Sequence, residues 1–239
     1  MDTIERRLLQ LEKQKAREED AQRRRNSGLS PWVQKAIQDP LIWTTRYTKT
    51  YNEHFENEGR PSPMEPFPQY EYFKDGFEIM DLGRITLWEK SRDMMLSWAC
   101  VAYLARFAMT MPSCGILFQT QKEDKVIQLI KYAKTLWINS DPRIREEIRL
   151  AKPMVRQSKY ELRFDNGSYI IGIPGGANQI RSYHPWGYLN DESSFQADAG
   201  ECYAESLAAV SGKIIFNSSA GPGWYADFRH DIVRNEEGQ

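Results

Sequence analysis

From Phe67 onward the chain alternates between strand-like and helix-like segments, and this alternation constrains the fold more than any other feature of its 239 residues. A helix is expected over 68–80, followed by the β-rich run Arg84-Ile-Thr-Leu-Trp-Glu89 and a polar loop at 90–96. The apolar stretch Ser97-Trp-Ala-Cys-Val-Ala-Tyr-Leu-Ala-Arg106 predicts a buried helix, Cys114-Gly-Ile-Leu-Phe-Gln119 a strand, and residues 122–137 another helix. Strands near 159–164 and 168–173 flank Asp165-Asn-Gly167, which favours a hairpin turn because Asn and Gly tolerate positive φ. Further strands end near Asn190 and Asn217. Such alternation predicts a mostly parallel central sheet flanked by helices, with ligands bound beyond the carboxyl ends of the strands.

The first 60 residues are expected to form an N-terminal helical extension and linker, and residues 61–239 the main domain. In the arm 1–27, Ile4, Leu8 and Leu11 recur at helical spacing before a polar run through Arg23-Arg24-Arg25. With eight basic and six acidic residues, the arm reads either as a solvated helix or as a partner-contacting or DNA-contacting segment. Ser30-Pro31 predicts an N-cap and first-turn proline for a helix through about Gln38. Gly59, Pro61, Pro63, Pro66 and Pro68 predict an irregular linker over 57–68. Lys and Arg number 32 against 33 Asp and Glu, so any grip on nucleic acid must come from a local patch. Cys100, Cys114 and Cys202 are too few and too scattered for a disulfide framework or zinc site, which fits a reducing compartment. No apolar run approaches the roughly 20 residues that span a bilayer.

Three segments carry candidate chemistry. Between the strand ending near Glu89 and the following helix lies Lys90-Ser-Arg92-Asp-Met-Met-Leu-Ser97. A phosphate loop of the GxxxxGK[ST] type would stand here, but both glycines are missing and Leu96 occupies the lysine position. Lys90 and Arg92 would supply cations from the start of the loop and Ser97 a hydroxyl for Mg²⁺; otherwise this is an ordinary turn capped by Ser97. The strand ending Asn190-Asp191-Glu192 offers one carboxylate for hydrated Mg²⁺ and a second to polarise water, or a plain surface pair. The strand Lys213-Ile-Ile-Phe-Asn217 ends in Ser218-Ser219-Ala220 and a glycine-rich turn, which would sense a phosphate or merely turn the chain.

In this order the three segments resemble the ATPase domain of the large terminase of tailed phages, over roughly residues 65 to 230. The resemblance implies an α/β P-loop NTPase fold of the additional-strand type. It implies a deviant loop with its lysine shifted to the start. Lys90, Ser91 and Arg92 would then hold the phosphates of ATP, while Ser97 and Asp191 would hold Mg²⁺. Glu192 would activate water, and Ser218, Ser219 and Ala220 would couple hydrolysis to motion. Gln69, in Phe67-Pro-Gln-Tyr70, resembles the residue that reads adenine. Arg181, in Gly175-Gly-Ala-Asn-Gln-Ile-Arg181, resembles the arginine finger, with Arg143, Arg145 and Arg149 as competitors.

The function implied is a motor that drives double-stranded DNA into a procapsid. It would work with a portal protein and a small terminase subunit, as a homo-oligomeric ring on the procapsid and a monomer in isolation. The place implied is the host cytoplasm. The family's nuclease domain does not fit in the residues after the coupling motif, which implies an ATPase fragment or separate subunit. A helicase-like ATPase and a catalytically inactive docking module remain as alternatives.

Overall fold

The computed structural model describes residues 28–52, 54–150 and 159–237, with side chains of the last helix described through Asp231. The reading of the arm 1–27 lies outside these residues.

Two short helices come first. In α1 (Pro31–Gln38) the Ser30 hydroxyl accepts the Val33 N–H at 3.4 Å, and in α2 (Pro40–Tyr47) Asp39 accepts from Leu41 and Ile42. Both begin with proline, whose missing N–H is lost at no cost in a first turn. Strand β1 (Lys49–Tyr51) then pairs antiparallel with β2 (Met64–Pro66). The expectation of no regular element over 57–68 is therefore corrected. A two-stranded ribbon has free outer edges, and a proline there forfeits no ladder bond.

The main body follows. Helix α3 (Glu71–Leu82) leads to β3 (Ile85–Lys90), α4 (Leu96–Thr110), β4 (Gly115–Thr120), α5 (Glu123–Ile138) and α6 (Pro142–Glu147). Helix α3 starts later than the expected 68, because Tyr70 is still extended at its N-cap and Glu71 opens the first turn. Strands β5 (Glu161–Arg163) and β6 (Tyr169–Pro174) form the expected hairpin, with Gly167 at φ 82° in the turn. Next come α7 (Asn178–Tyr183), β7 (Gly187–Asp191), a 3₁₀ turn (Ser193–Phe195), α8 (Ala199–Ala209), β8 (Lys213–Ser219) and α9 (Trp224–Glu237).

The six-stranded sheet has the order β3-β8-β7-β4-β6-β5, and only the edge strand β5 runs antiparallel. All six residues of β4 and all five of β7 are buried, as expected for strands covered on both faces. One face packs against α4 and α5, with Trp98, Val101, Leu104, Leu129 and Ala133 in its core. The other packs Ile180, Cys202 and Tyr225 against Leu117, Tyr188 and Phe216. Val33, Ile37 and Trp43 of the first two helices join the core of α4. Arg106, 1% exposed, ties them there by donating to the Gln38 carbonyl, with its guanidinium 4.5 Å from the centre of the Phe107 ring. The carboxyl ends of β3, β8, β7 and β4 lie side by side, with Lys90 opposite Ser219, Asp191 opposite Asn217, and Gln119 opposite Asn190.

Candidate functional site

The loop from Ser91 to Met95 turns the chain from β3 into α4 using two left-handed residues, Asp93 at φ 61° and Met95 at φ 53°. Met95 occupies the position of the second glycine in GxxxxGK[ST], so the backbone keeps the shape that glycine would adopt more readily. A non-glycine residue held there costs roughly 1–2 kcal/mol. Leu96, at the lysine position, is 3% exposed and belongs to the core, so it offers nothing to an anion. Arg92 and Ser91 are exposed on the loop, and Lys90 stands half-buried at its start. Tyr72 pins the loop from α3 by donating to the Met94 carbonyl at 3.0 Å, and stacks on Tyr70 at 5.2 Å. Gln69 is exposed in the extended segment just ahead of this pair.

Ser97 lies in the first turn of α4, where N–H groups and the helix dipole favour anions. Its hydroxyl donates to Asp191 Oδ1 at 3.1 Å and accepts from Asn217 Nδ2 at 3.3 Å. The same Asn217 amide donates to Asp191 Oδ1 at 2.6 Å. Desolvation raises the Asp191 carboxyl above the usual carboxylate range, and the neighbouring Glu192 charge adds to this. Asn217, the Lys90 charge and Ser97 oppose the shift. Lys90, Ser97, Asp191 and Asn217 thus form one electrostatic unit, assembled from β3, α4, β7 and β8.

Glu192 follows Asp191 in the left-handed region, at φ 60° and ψ 39°, and opens the 3₁₀ turn. Ser218 is fully buried; its hydroxyl accepts the Ser194 N–H at 3.0 Å and donates to the Ser219 carbonyl at 2.9 Å. The expected coupling residue therefore touches the segment that carries Glu192. Ser219 pairs with Lys90 in the sheet register, and Ala220 is exposed beyond it.

The donor chemistry suits Mg²⁺ held jointly with phosphates, which needs one or two protein oxygens rather than a full protein cage. Ser97 and Asp191 would supply them, and no group of three His, Cys, Asp or Glu side chains able to hold a metal occurs among the described residues. Two buried atoms beside the cluster, Asn217 Oδ1 and Ser194 Oγ, have no hydrogen-bond partner in the protein. A buried polar atom without a partner is costly, and a hydrated ligand at this edge would satisfy both.

Arg181 does not join this unit. It sits on α7 with a side chain 64% exposed, paired in two-pronged fashion with Glu205 of α8. The competing arginines do not join it either. Helix α5 leaves the carboxyl end of β4 and runs back along the sheet, so α6 lies at the opposite edge, with Arg143 stacked 3.9 Å from Trp32 and paired with Asp141. Arg145 shares that helix, and Arg149 just beyond it donates to the Glu146 carbonyl. Asn217 is the member of the cluster that the sequence motifs do not mark. Its signal is an amide directly after the apolar run Ile214-Ile215-Phe216 in a buried strand, where a polar side chain must find a partner.

A sheet in which β8 separates the loop-bearing strand from the acidic strand defines the additional-strand class of P-loop NTPase folds. Among solved structures, the chain is similar to the HK97 bacteriophage large terminase, with a TM-score of 0.60 and 10% identity over 84% of this chain. The match spans 42% of that terminase's length. The ATPase domain of the Thermus phage P74-26 large terminase aligns at a TM-score of 0.45 and 12% identity, over 75% of this chain and 74% of that domain. No protein-family model and no curated protein matches the sequence. The fold is similar to that of the matched part of the HK97 large terminase.

Proposed function

We propose that this chain is the ATP-hydrolysing motor domain of a viral large terminase, which drives double-stranded DNA into a procapsid. The observation that carries the proposal is the Ser97–Asp191–Asn217 cluster, beside Lys90 and directly before Glu192, on a terminase-like fold. Lys90, with Ser91 and Arg92 on the loop, would face the phosphates of ATP, and Gln69 the adenine. Mg²⁺ held by Ser97 and Asp191 would neutralise charge on the β- and γ-phosphates. Glu192 would orient the attacking water, and Ser218 would pass movement of the Glu192 segment to β8 and the residues after it. Phosphoryl transfer asks a protein mainly for such positioning and electrostatics.

Arg181 fits this scheme as a finger acting in trans, since it is exposed and remote from its own loop. A homo-oligomeric ring would bring it to a neighbour, at the expense of its pair with Glu205. Double-stranded DNA, a portal protein and a small terminase subunit are the partners proposed, and the host cytoplasm the setting, with the domain monomeric when isolated. No helix among the described residues is long and apolar enough to cross a membrane. DNA would be gripped through its phosphates without base specificity.

The test is Mg²⁺-dependent ATP hydrolysis across protein concentrations, with Glu192→Gln alongside. Hydrolysis that rises steeply with concentration and vanishes in the variant, with nucleotide binding kept, is the expected result. Absence of both hydrolysis and binding at millimolar ATP would overturn the motor and leave the docking module, a reading favoured by the burial of Leu96 where the loop lysine would stand.

A further inference from the structure

The Asp191–Glu192 turn is held from behind by amides that have no place in the scheme above. Gln196 is 5% exposed, and its Nε2 donates to the Asp191 carbonyl and to Asn190 Oδ1, both at 2.8 Å. Its Oε1 accepts from Asn190 Nδ2 at 3.4 Å, so the two side chains form a reciprocal amide pair. Ser193 closes the same turn by donating to the Asn190 carbonyl at 3.0 Å and to Asn190 Oδ1 at 2.8 Å. All of these groups are buried, where a hydrogen bond is stronger and a broken one costs more than at the surface.

The chain of bonds continues away from the site. Asn190 Nδ2 also donates to the Tyr188 hydroxyl at 2.9 Å, and that hydroxyl donates to Gln119 Oε1. Gln119 Nε2 donates in turn to the Gly176 carbonyl at 3.3 Å, in the loop that opens α7. Tyr188, Asn190 and Gln119 are each fully buried. Every side-chain polar atom of Gln119, Tyr188, Asn190 and Gln196 has a protein partner, unlike Asn217 Oδ1 and Ser194 Oγ.

The geometry points to Gln196 as a positioning residue that holds Glu192 in its left-handed turn, and to Asn190, Tyr188 and Gln119 as the relay that ties this turn to the Gly176 loop. The inference deepens the proposed hydrolytic role of Glu192 and rests on it. A left-handed glutamate has no favourable backbone of its own, so its carboxylate is placed by the bonds of its neighbours. Shifts at Glu192 would be felt at the base of α7, the helix that bears Arg181.

The test uses Gln196→Met, which keeps length and removes the amide, and Tyr188→Phe, which removes one hydroxyl and keeps the ring. Gln196→Met is expected to lower kcat about 100-fold at unchanged KM, the scale of a misplaced catalytic group. Amide exchange should quicken at Ser194, which bonds to Ser218, and at Gln179, whose N–H donates to the Gly176 carbonyl. Tyr188→Phe should quicken exchange at Gln179 and lower stability, since it leaves a buried group unpaired, and it carries the test if Gln196→Met does not fold. A raised KM with kcat intact, or exchange at Ser194 and Gln179 equal to wild type in both variants, would overturn the relay. Turnover by Glu192→Gln equal to wild type would sink the hydrolytic role of Glu192 separately, and the exchange measurement would still decide the relay.

Discussion

Ser97 donates a hydrogen bond to Asp191 at 3.1 Å across 94 positions of sequence, and Asn217 donates to both. A hydroxyl at the start of one helix thereby meets a carboxylate at the end of a strand two places away in the sheet, bridged by the strand between them. The pair proposed to hold Mg²⁺ is consequently preassembled, and the group that bridges it is an amide.

Asn217→Leu would remove that bridge while keeping the approximate volume. A hydrogen bond to a buried charged group contributes about 2 kcal/mol, so urea unfolding should show a loss of that order. Mg²⁺-ATP hydrolysis should fall as well. A variant as stable and as active as wild type would show that Ser97 alone positions Asp191.

Asp191→Asn separates stability from function. Burial raises the carboxyl of Asp191, so the folded chain holds this proton to higher pH than the unfolded chain does. Between the ordinary carboxylate value and the raised one, the unfolded chain binds fewer protons, and stability falls as pH rises through that window. The asparagine variant should therefore melt above wild type at pH near 7, with the gap closing in acid, while Mg²⁺-dependent hydrolysis is lost. A lower melting temperature at neutral pH would mean that Asn217, Lys90 and Ser97 more than offset the burial.

Lys90→Ala should abolish phosphate neutralisation, because Leu96 cannot substitute. Loss of one electrostatic donor at a transition state is worth about 100-fold or more in turnover. The same change removes a charge that holds the Asp191 carboxyl down, so Mg²⁺ binding should require higher pH than in wild type. An unchanged rate would show that Arg92 is the cation that matters.

The three cysteines provide a test of the core. All three are buried, and burial pushes the Cys202 thiol up to about 12 and the Cys100 thiol higher still. The thiolate is the reactive form, so an aromatic disulfide reagent at pH 8 should label none of them in the folded protein. All three should react in denaturant. Fast labelling of Cys100 in the native state would mean that the start of α4 opens.

Much of this protein was legible locally. The apolar run from Ser97, the strand Cys114–Gln119 and the Asn-Gly hairpin are written in short-range patterns, because helices and strands bury residues at fixed periods and turns need residues tolerant of positive φ. The order of Lys90, Ser97, Asp191, Glu192 and Ser218 along the chain was likewise visible, and it pointed to the fold that the HK97 terminase shares. Strand order in space was not visible locally. The position of β8 between β3 and β7 follows from how two crossovers pack helices on the faces of one sheet, and only that placement brings Asn217 to Asp191. The pairing of Arg181 with Glu205, and the amides behind Glu192, were decided in the same way. A polar side chain reveals its period to the sequence but not its partner, since that partner is set by which buried strands end up side by side.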